Sequence, residues 1–223
     1  MRKLVVFDLD GTLIDSRAII LAAQEATFRA HGLPMPDEET AISIVGLSLV
    51  EAFRTLVPDG PYVDMAATYK TAFQDLRLRK AVAEDLFPGA ADLLERLGGR
   101  HDVVLGIATG KSRRGVAHVM DLHGWHGRFA TIQTADDAPS KPHPAMLEQA
   151  LGETGFEARQ AVMIGDTTFD ILMARSAGMA SIGVPWGNHS VAALNEAGAS
   201  RIVMQMEAIE AAIDALTREA AHG

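Results

Sequence analysis

Short apolar runs alternate along this chain with longer stretches in which apolar residues recur every third or fourth position. The runs at residues 4–7, 103–108, 130–133, 161–164, 180–184 and 202–204 are mostly continuous rather than alternating. That is the pattern of strands covered on both faces. Amphipathic text between them predicts helices over residues 90–97, 113–122, 144–151, 169–177 and 191–196, and over a tail at 207–221. Strands and helices in alternation build a parallel sheet. The expected fold class is α/β, a doubly wound, Rossmann-like sheet.

One segment departs from this rhythm. From residue 16 to about residue 86 no convincing strand is found, and "AIILAAQEATFRAHG" and "MAATYKTAFQDLRLRK" carry helical spacing. Gly32, Pro34, Pro36, Pro58 and Pro61 punctuate it. Strand 1 therefore leads into a helical insert, and the α/β pattern resumes at Phe87-Pro88-Gly89. The expected organisation is a core of residues 1–15 and 87–223 with a helical unit at 16–86. Asp15-Ser16 stands at the junction, where a helix cap and a hinge are expected.

The first run continues as "VVFDLDGTLIDS", in which Asp8 and Asp10 end an apolar strand with only Leu9 between them. Asp-Gly alone is ordinary turn chemistry. Ligands of an open parallel sheet, however, sit beyond the carboxyl ends of its strands, and three more polar clusters fall there. Thr109-Gly110-Lys111 follows "VVLGIA", Ser140-Lys141-Pro142 lies a short loop beyond "ATIQT", and Gly165 to Asp170 follows "AVMI". Asp8, Asp10, Asp166 and Asp170 at one locus repel unless a cation or a proton offsets them. Oxygen donors without Cys or His suit Mg²⁺. Lys141 adds a fixed positive charge, and Thr109 and nearby backbone N–H groups can donate hydrogen bonds. Such a set is suited to phosphoryl transfer, with a carboxylate as attacking group. Asp166 and Asp170 also suit a helix N-terminus, a role compatible with metal support. Ser112 is the expected N-cap of the helix after Thr109-Gly110-Lys111.

Composition narrows the picture. At 223 residues and 48% hydrophobic, the chain can bury a sizeable core as one domain or one domain plus an insert. A net charge of −9 opposes binding to nucleic acid and anionic membranes. No cysteine is present, so disulfides, thiolate metal sites and a Cys nucleophile are excluded. No apolar stretch approaches the ~18 residues of a membrane span. Met1-Arg2-Lys3 leads directly into a strand without an apolar leader, so a cytoplasmic location is expected. His118, His123 and His126 do not share one tight helical face and are expected to be surface or core residues rather than zinc ligands. Lys111 is a candidate for steering anions, whereas Arg113 and Arg114 are expected to face water. Trp186-Gly187 is expected to shape a loop, and the ten methionines to fill the core.

DxDGT at strand 1, a threonine after the next strand, a Lys-Pro and GDxxxD together resemble the four motifs of the haloacid dehalogenase-like phosphatases, over nearly the whole chain. "DLDGTLIDS" and "GDTTFDILMARSAGM" carry the resemblance most specifically. It implies that Asp8 is the nucleophile and Asp10 the general acid and base. It implies Mg²⁺ held by Asp8, the Asp10 backbone carbonyl and Asp166, with Asp170 in support. Thr109 and the Gly110 N–H would bind phosphate, and Lys141 would clamp the Asp8 and phosphate oxygens. Residues 16–86 stand where the family places a helical cap. "GVPWGNHSVAALNEAGASRIV" resembles the tail of the phosphoglycolate-phosphatase-like branch.

Asp10 separates the chain from the dehalogenase branch, because an alkoxide leaving group needs a proton and a halide does not. "SIVGLSLVEAF" lacks the cap lysine of phosphonate-hydrolysing relatives, and Ile20 stands where the mutases carry a histidine, twelve positions after the nucleophile. The expected activity is Mg²⁺-dependent hydrolysis of a small organic phosphate monoester, phosphoglycolate-like. The alternatives are a sugar-phosphate mutase, or hydrolysis of pyrophosphate or a nucleotide at the same site. Arg54, Lys70, Arg77, Arg79 and Lys80 are the insert's candidates for contacting a second anionic group. A monomer or homodimer is expected.

Overall fold

The computed structural model describes residues 2–222. Its strands are β1 (Lys3–Phe7), β2 (Ile14–Asp15), β3 (Asp85–Leu86), β4 (Val103–Ala108), β5 (Thr131–Gln133), β6 (Ala161–Gly165), β7 (Ala180–Gly183) and β8 (Arg201–Ile202). Its α-helices are α1 (Arg17–Ala30), α2 (Glu38–Ile42), α3 (Leu49–Leu56), α4 (Tyr62–Leu78), α5 (Ala90–Gly98), α6 (Arg113–His123), α7 (Ala145–Thr154), α8 (Thr168–Ser176), α9 (Val191–Glu196) and α10 (Ile209–His222).

Six strands form one parallel sheet in the order β5-β4-β1-β6-β7-β8. The chain winds outward from β1 through β4 and β5, then returns to β6 on the other side of β1. The order therefore reverses at β1, which places the crevice at its carboxyl end. Every residue of β1 is buried. Val5 and Phe7 pack with Leu93 and Leu94 of α5, Val119 of α6 and Ile213 of α10. Leu4 and Val6 point the other way, onto Met146 and Leu147 of α7 and Met173 of α8. Side chains that alternate across a strand thus feed two apolar layers, each fully buried aliphatic or Phe side chain stabilising by about 1.5–3 kcal/mol.

Residues between β2 and β3 form four helices around a third apolar cluster that includes Ile19, Phe28, Phe53, Met65, Tyr69 and Phe73. Two local expectations fail here. The segment does contain a strand: β3 pairs antiparallel with β2, Ile14 opposite Leu86 and Asp15 opposite Asp85. Strands of two residues are too short to show any periodicity, so only their pairing reveals them. Ser16 precedes α1 without a side-chain cap bond, because its Oγ is buried without a partner. In the core, β8 is shorter than the run at 202–204, as an edge strand pairs on one side only. No helix among the described residues is long and apolar enough to cross a membrane.

Candidate active site

The carboxyl ends of β1, β4 and β6, with the loop after β5, bring the sequence-predicted residues together. Asp8 follows β1, and its N–H donates to the Ile164 carbonyl at 2.9 Å, which fixes it between neighbouring strands. Thr109 follows β4, its N–H tied to the Gln133 carbonyl at 3.0 Å. Asp166 follows β6 directly. Asp170 lies in the first turn of α8, where it and Thr167 form a reciprocal capping box. Lys141 arrives from the loop between β5 and α7. Asp8, Thr109, Lys141, Asp166 and Asp170 are all at most 1% exposed.

Lys141 Nζ contacts Asp170 Oδ1 at 2.6 Å and Asp8 Oδ1 at 3.0 Å. Thr167 donates to Asp170 Oδ2 through its N–H at 3.1 Å and its hydroxyl at 2.7 Å. Asp166 accepts from the Thr12 hydroxyl at 2.9 Å, and from the Asn188 N–H and side-chain amide at 2.8 and 2.9 Å. Asp8 differs from both: it lacks the set of hydroxyl and amide donors that holds each of them, and its close polar contact is the Lys141 ammonium at 3.0 Å. One oxygen each from Asp8, Asp166 and Asp170 lie within 4.8 Å of one another.

Three carboxylates against one ammonium leave an excess of negative charge. Burial pushes the Asp8 carboxyl up to about 7, with Lys141 opposing and Asp170 and Asp10 adding to the rise. Burial pushes Asp166 up to about 8, again with Asp170 and Asp8 adding. Burial works against the Lys141 charge, but Asp170 and Asp8 outweigh it and raise its pKa above the usual lysine range. Oxygen donors in a buried cluster with this charge excess fit a hard divalent cation such as Mg²⁺, and the sparsely bonded Asp8 oxygens are the atoms such an ion would satisfy.

The Asp10 carboxylate stands outside this trio. Its Oδ1 pairs with Lys111 Nζ at 2.7 Å, and Lys111 lies 3.7 Å from Glu84 Oε1. Arg77 of α4 grips Glu84 at 2.5 and 2.7 Å. Lys111 is therefore committed to Asp10 and Glu84 rather than free to steer anions. Among the other expected basic residues, Arg54 pairs with Glu51, and Arg79 and Lys80 are exposed. Arg113 pairs with Asp137, and Arg114 is exposed at the cavity rim. Ser112 caps α6 through the Gly115 N–H as expected. The three histidines stay apart: His126 pairs with Asp121 at the surface, His123 packs on Trp125, and His118 borders the cavity.

Asp8, Asp10, Thr109 and Gly110 floor a cavity of about 530 Å³ whose other walls come from α1, α3, α4, the loop before α3, and the start of α6 with its preceding loop. A Cβ on Gly110 would meet the Gly46 and Leu47 carbonyls at 2.6 and 2.8 Å, so only glycine lets the helical unit sit this close. Gly11, at φ +80°, turns the chain after Asp10, and a Cβ there would strike Asp166 Oδ2. Sequence reasoning passed over Thr12, Asn188 and Glu84. Thr12 stands inside DxDGT and could have been read as a carboxylate donor. Asn188 and Glu84 had no signal, because their partners lie 22 residues away or on another element. Trp186 shapes its loop as expected, donating to the Thr12 carbonyl at 3.1 Å.

The haloacid dehalogenase-like hydrolase family model matches residues 5–184. A protein named probable phosphatase IndB from Dickeya dadantii is 34% identical over 98% of this chain and 96% of its own length. A phosphoglycolate phosphatase from Xanthomonas campestris is 33% identical over 83% of this chain and 84% of its own. A haloacid dehalogenase-like hydrolase from Streptococcus pneumoniae, 29% identical, superposes with a TM-score of 0.82 over 95% of this chain and 98% of that one. The match spans the sheet, the helical unit and all four clusters at the strand ends, and the chain belongs to the haloacid dehalogenase-like hydrolase family.

Proposed function

We propose that this haloacid dehalogenase-like phosphatase hydrolyses a small organic phosphate monoester through a phosphorylated Asp8, with Mg²⁺ as cofactor. The observation that carries the reading is the Asp8 carboxylate: buried at the crevice, without the hydroxyl and amide donors that hold Asp166 and Asp170, touched by Lys141 and facing a cavity. Asp8, Asp166, Asp170 and the Asp10 carbonyl would hold Mg²⁺, which when bound offsets charge on the phosphoryl oxygens. An Asp8 oxygen attacks phosphorus, the bond to the ester oxygen breaks, and Asp10 gives that oxygen its proton. Water then attacks the phosphoryl group and returns a proton to Asp10, which frees phosphate and regenerates Asp8. Thr109 and the Gly110 N–H bind the phosphoryl oxygens, and Lys141 holds Asp8 in line. Residues 16–86 act as a cap over a core of residues 1–15 and 87–223, excluding water and contacting the alcohol. Ile20, a buried cavity residue twelve positions after Asp8, leaves no imidazole there and supports hydrolysis over mutase chemistry. Phosphate release from p-nitrophenyl phosphate is expected to fall to background in chelator and to return with added Mg²⁺. An undiminished rate in chelator would refute the metal assignment.

The same cluster sets a pH dependence. The folded pKa values of Asp8 and Asp166, about 7 and about 8, lie above the ordinary carboxylate range. Between about pH 4 and pH 8 these two carboxyls bind more protons in the folded chain than in the unfolded chain and lower stability as pH rises, whereas burial holds His118, His123 and His189 below the usual imidazole value, which opposes them up to about pH 6.5. Above the histidine range the two carboxyls dominate, and thermal melts in chelator are expected to show a lower Tm at pH 8.5 than at pH 7. Added Mg²⁺ should raise Tm more at pH 8.5, where it competes with fewer protons. A chelated Tm that rises steadily across this window would contradict the electrostatic account.

A further inference from the structure

We propose that the alcohol of the substrate carries a flat aromatic ring, so that the site prefers ring-bearing phosphate monoesters to two-carbon phosphates or pyrophosphate. The inference rests on the reading of Asp8 as the phosphate end of the cavity.

Size is the first ground. At roughly 30 Å³ per water, a cavity of about 530 Å³ has the volume of some ~18 water molecules. Phosphoglycolate and pyrophosphate each have only about nine non-hydrogen atoms, so either would leave much of that space to solvent.

Chemistry of the wall is the second. Above the carboxylates the cavity is bounded by buried Ile20, Val45, Phe53, Tyr69 and Phe73. Phe53 and Tyr69 meet nearly edge to face with centroids 5.8 Å apart, and Tyr69 and Phe73 stand 5.6 Å apart. Such a wall gains from a flat apolar group and penalises a second carboxylate or phosphate. The cations next to it are engaged: Arg77 with Glu84, Lys111 with Asp10. Lys70 and Arg114 also border the cavity, but both are exposed to solvent.

The test is kcat/KM for the purified chain with Mg²⁺ on five ester classes: nucleoside 5′-monophosphates, hydroxyaryl phosphates, n-hexyl phosphate, phosphoglycolate and pyrophosphate. The best ring ester is expected to exceed each of the last three by at least about tenfold, and its class tells a ribosylated ring from a bare one. Leu49→Trp, which fills the cavity from α3, is expected to lower kcat/KM for ring esters about tenfold more than for phosphoglycolate. Phosphate release in which a small or alkyl phosphate matches the ring esters overturns this inference and leaves the hydrolase reading standing. Release from none of the esters overturns the hydrolase reading itself.

Discussion

Asp8→Asn is expected to lower phosphate release by at least about 10³-fold while leaving the fold intact, since it removes the attacking oxygen and little else. The side chains are nearly the same size, and the Asp8 N–H keeps its bond to the Ile164 carbonyl. Lys141 keeps Asp170 at 2.6 Å, so its ammonium is not stranded. Electrostatics favour the variant, because the wild-type carboxylate is already forced up to about 7 by burial, despite Lys141, with Asp170 and Asp10 adding to it. One repelling charge fewer should hold Tm in chelator at pH 8 level with, or above, that of the wild type. The measurement is a pair: initial rate of phosphate release, and a melt under the same conditions. Turnover within tenfold of wild type would remove Asp8 as nucleophile. A large fall in Tm would show that its charge supports the fold rather than opposing it.

The parts of this site that were legible in the sequence are those fixed by strand ends. Asp8, Thr109 and Asp166 each follow an apolar run, and the rule that parallel strands present ligand sites at their carboxyl ends brings them together without a structure. Asp170 was legible because it closes the Gly165–Asp170 cluster after "AVMI" at the start of a helix. What stayed hidden depends on partners remote in sequence. The Asp10–Lys111–Glu84–Arg77 series joins a core loop to α4 through side chains alone. Neither periodicity nor local spacing encodes it. The β2–β3 ribbon was invisible for a related reason: two residues per strand carry no period, and the pairing is set by where the helical insert leaves and rejoins the core. The cavity's aromatic wall was read only as amphipathic helix, since which apolar residues face a core and which border a cavity is decided by packing.

Lys141→Met should separate the two tasks of the buried ammonium. Lys141 is fully buried and is the cation in direct contact with both Asp8 and Asp170. Breaking a buried ion pair costs about 3–5 kcal/mol, because the surviving charge has no compensation. For a chain of this size that corresponds to a Tm loss on the order of 10 °C in chelator. Activity should fall about 10²–10³-fold, the scale for removing one preorganised charge from a site where negative charge moves. The companion variant, Lys141→Met with Asp170→Asn, removes a carboxylate along with the ammonium. The amide that replaces the Asp170 carboxylate retains an oxygen to accept from Thr167, whose N–H and hydroxyl hold that side chain in wild type. The double variant is therefore expected to regain most of the lost Tm and none of the lost activity. If the double variant recovers turnover with stability, Lys141 serves the fold alone and has no part in handling phosphate. If the single variant melts like wild type in chelator at pH 8, Asp8 and Asp170 are not held together by this ammonium, and the charge balance assigned to the site fails.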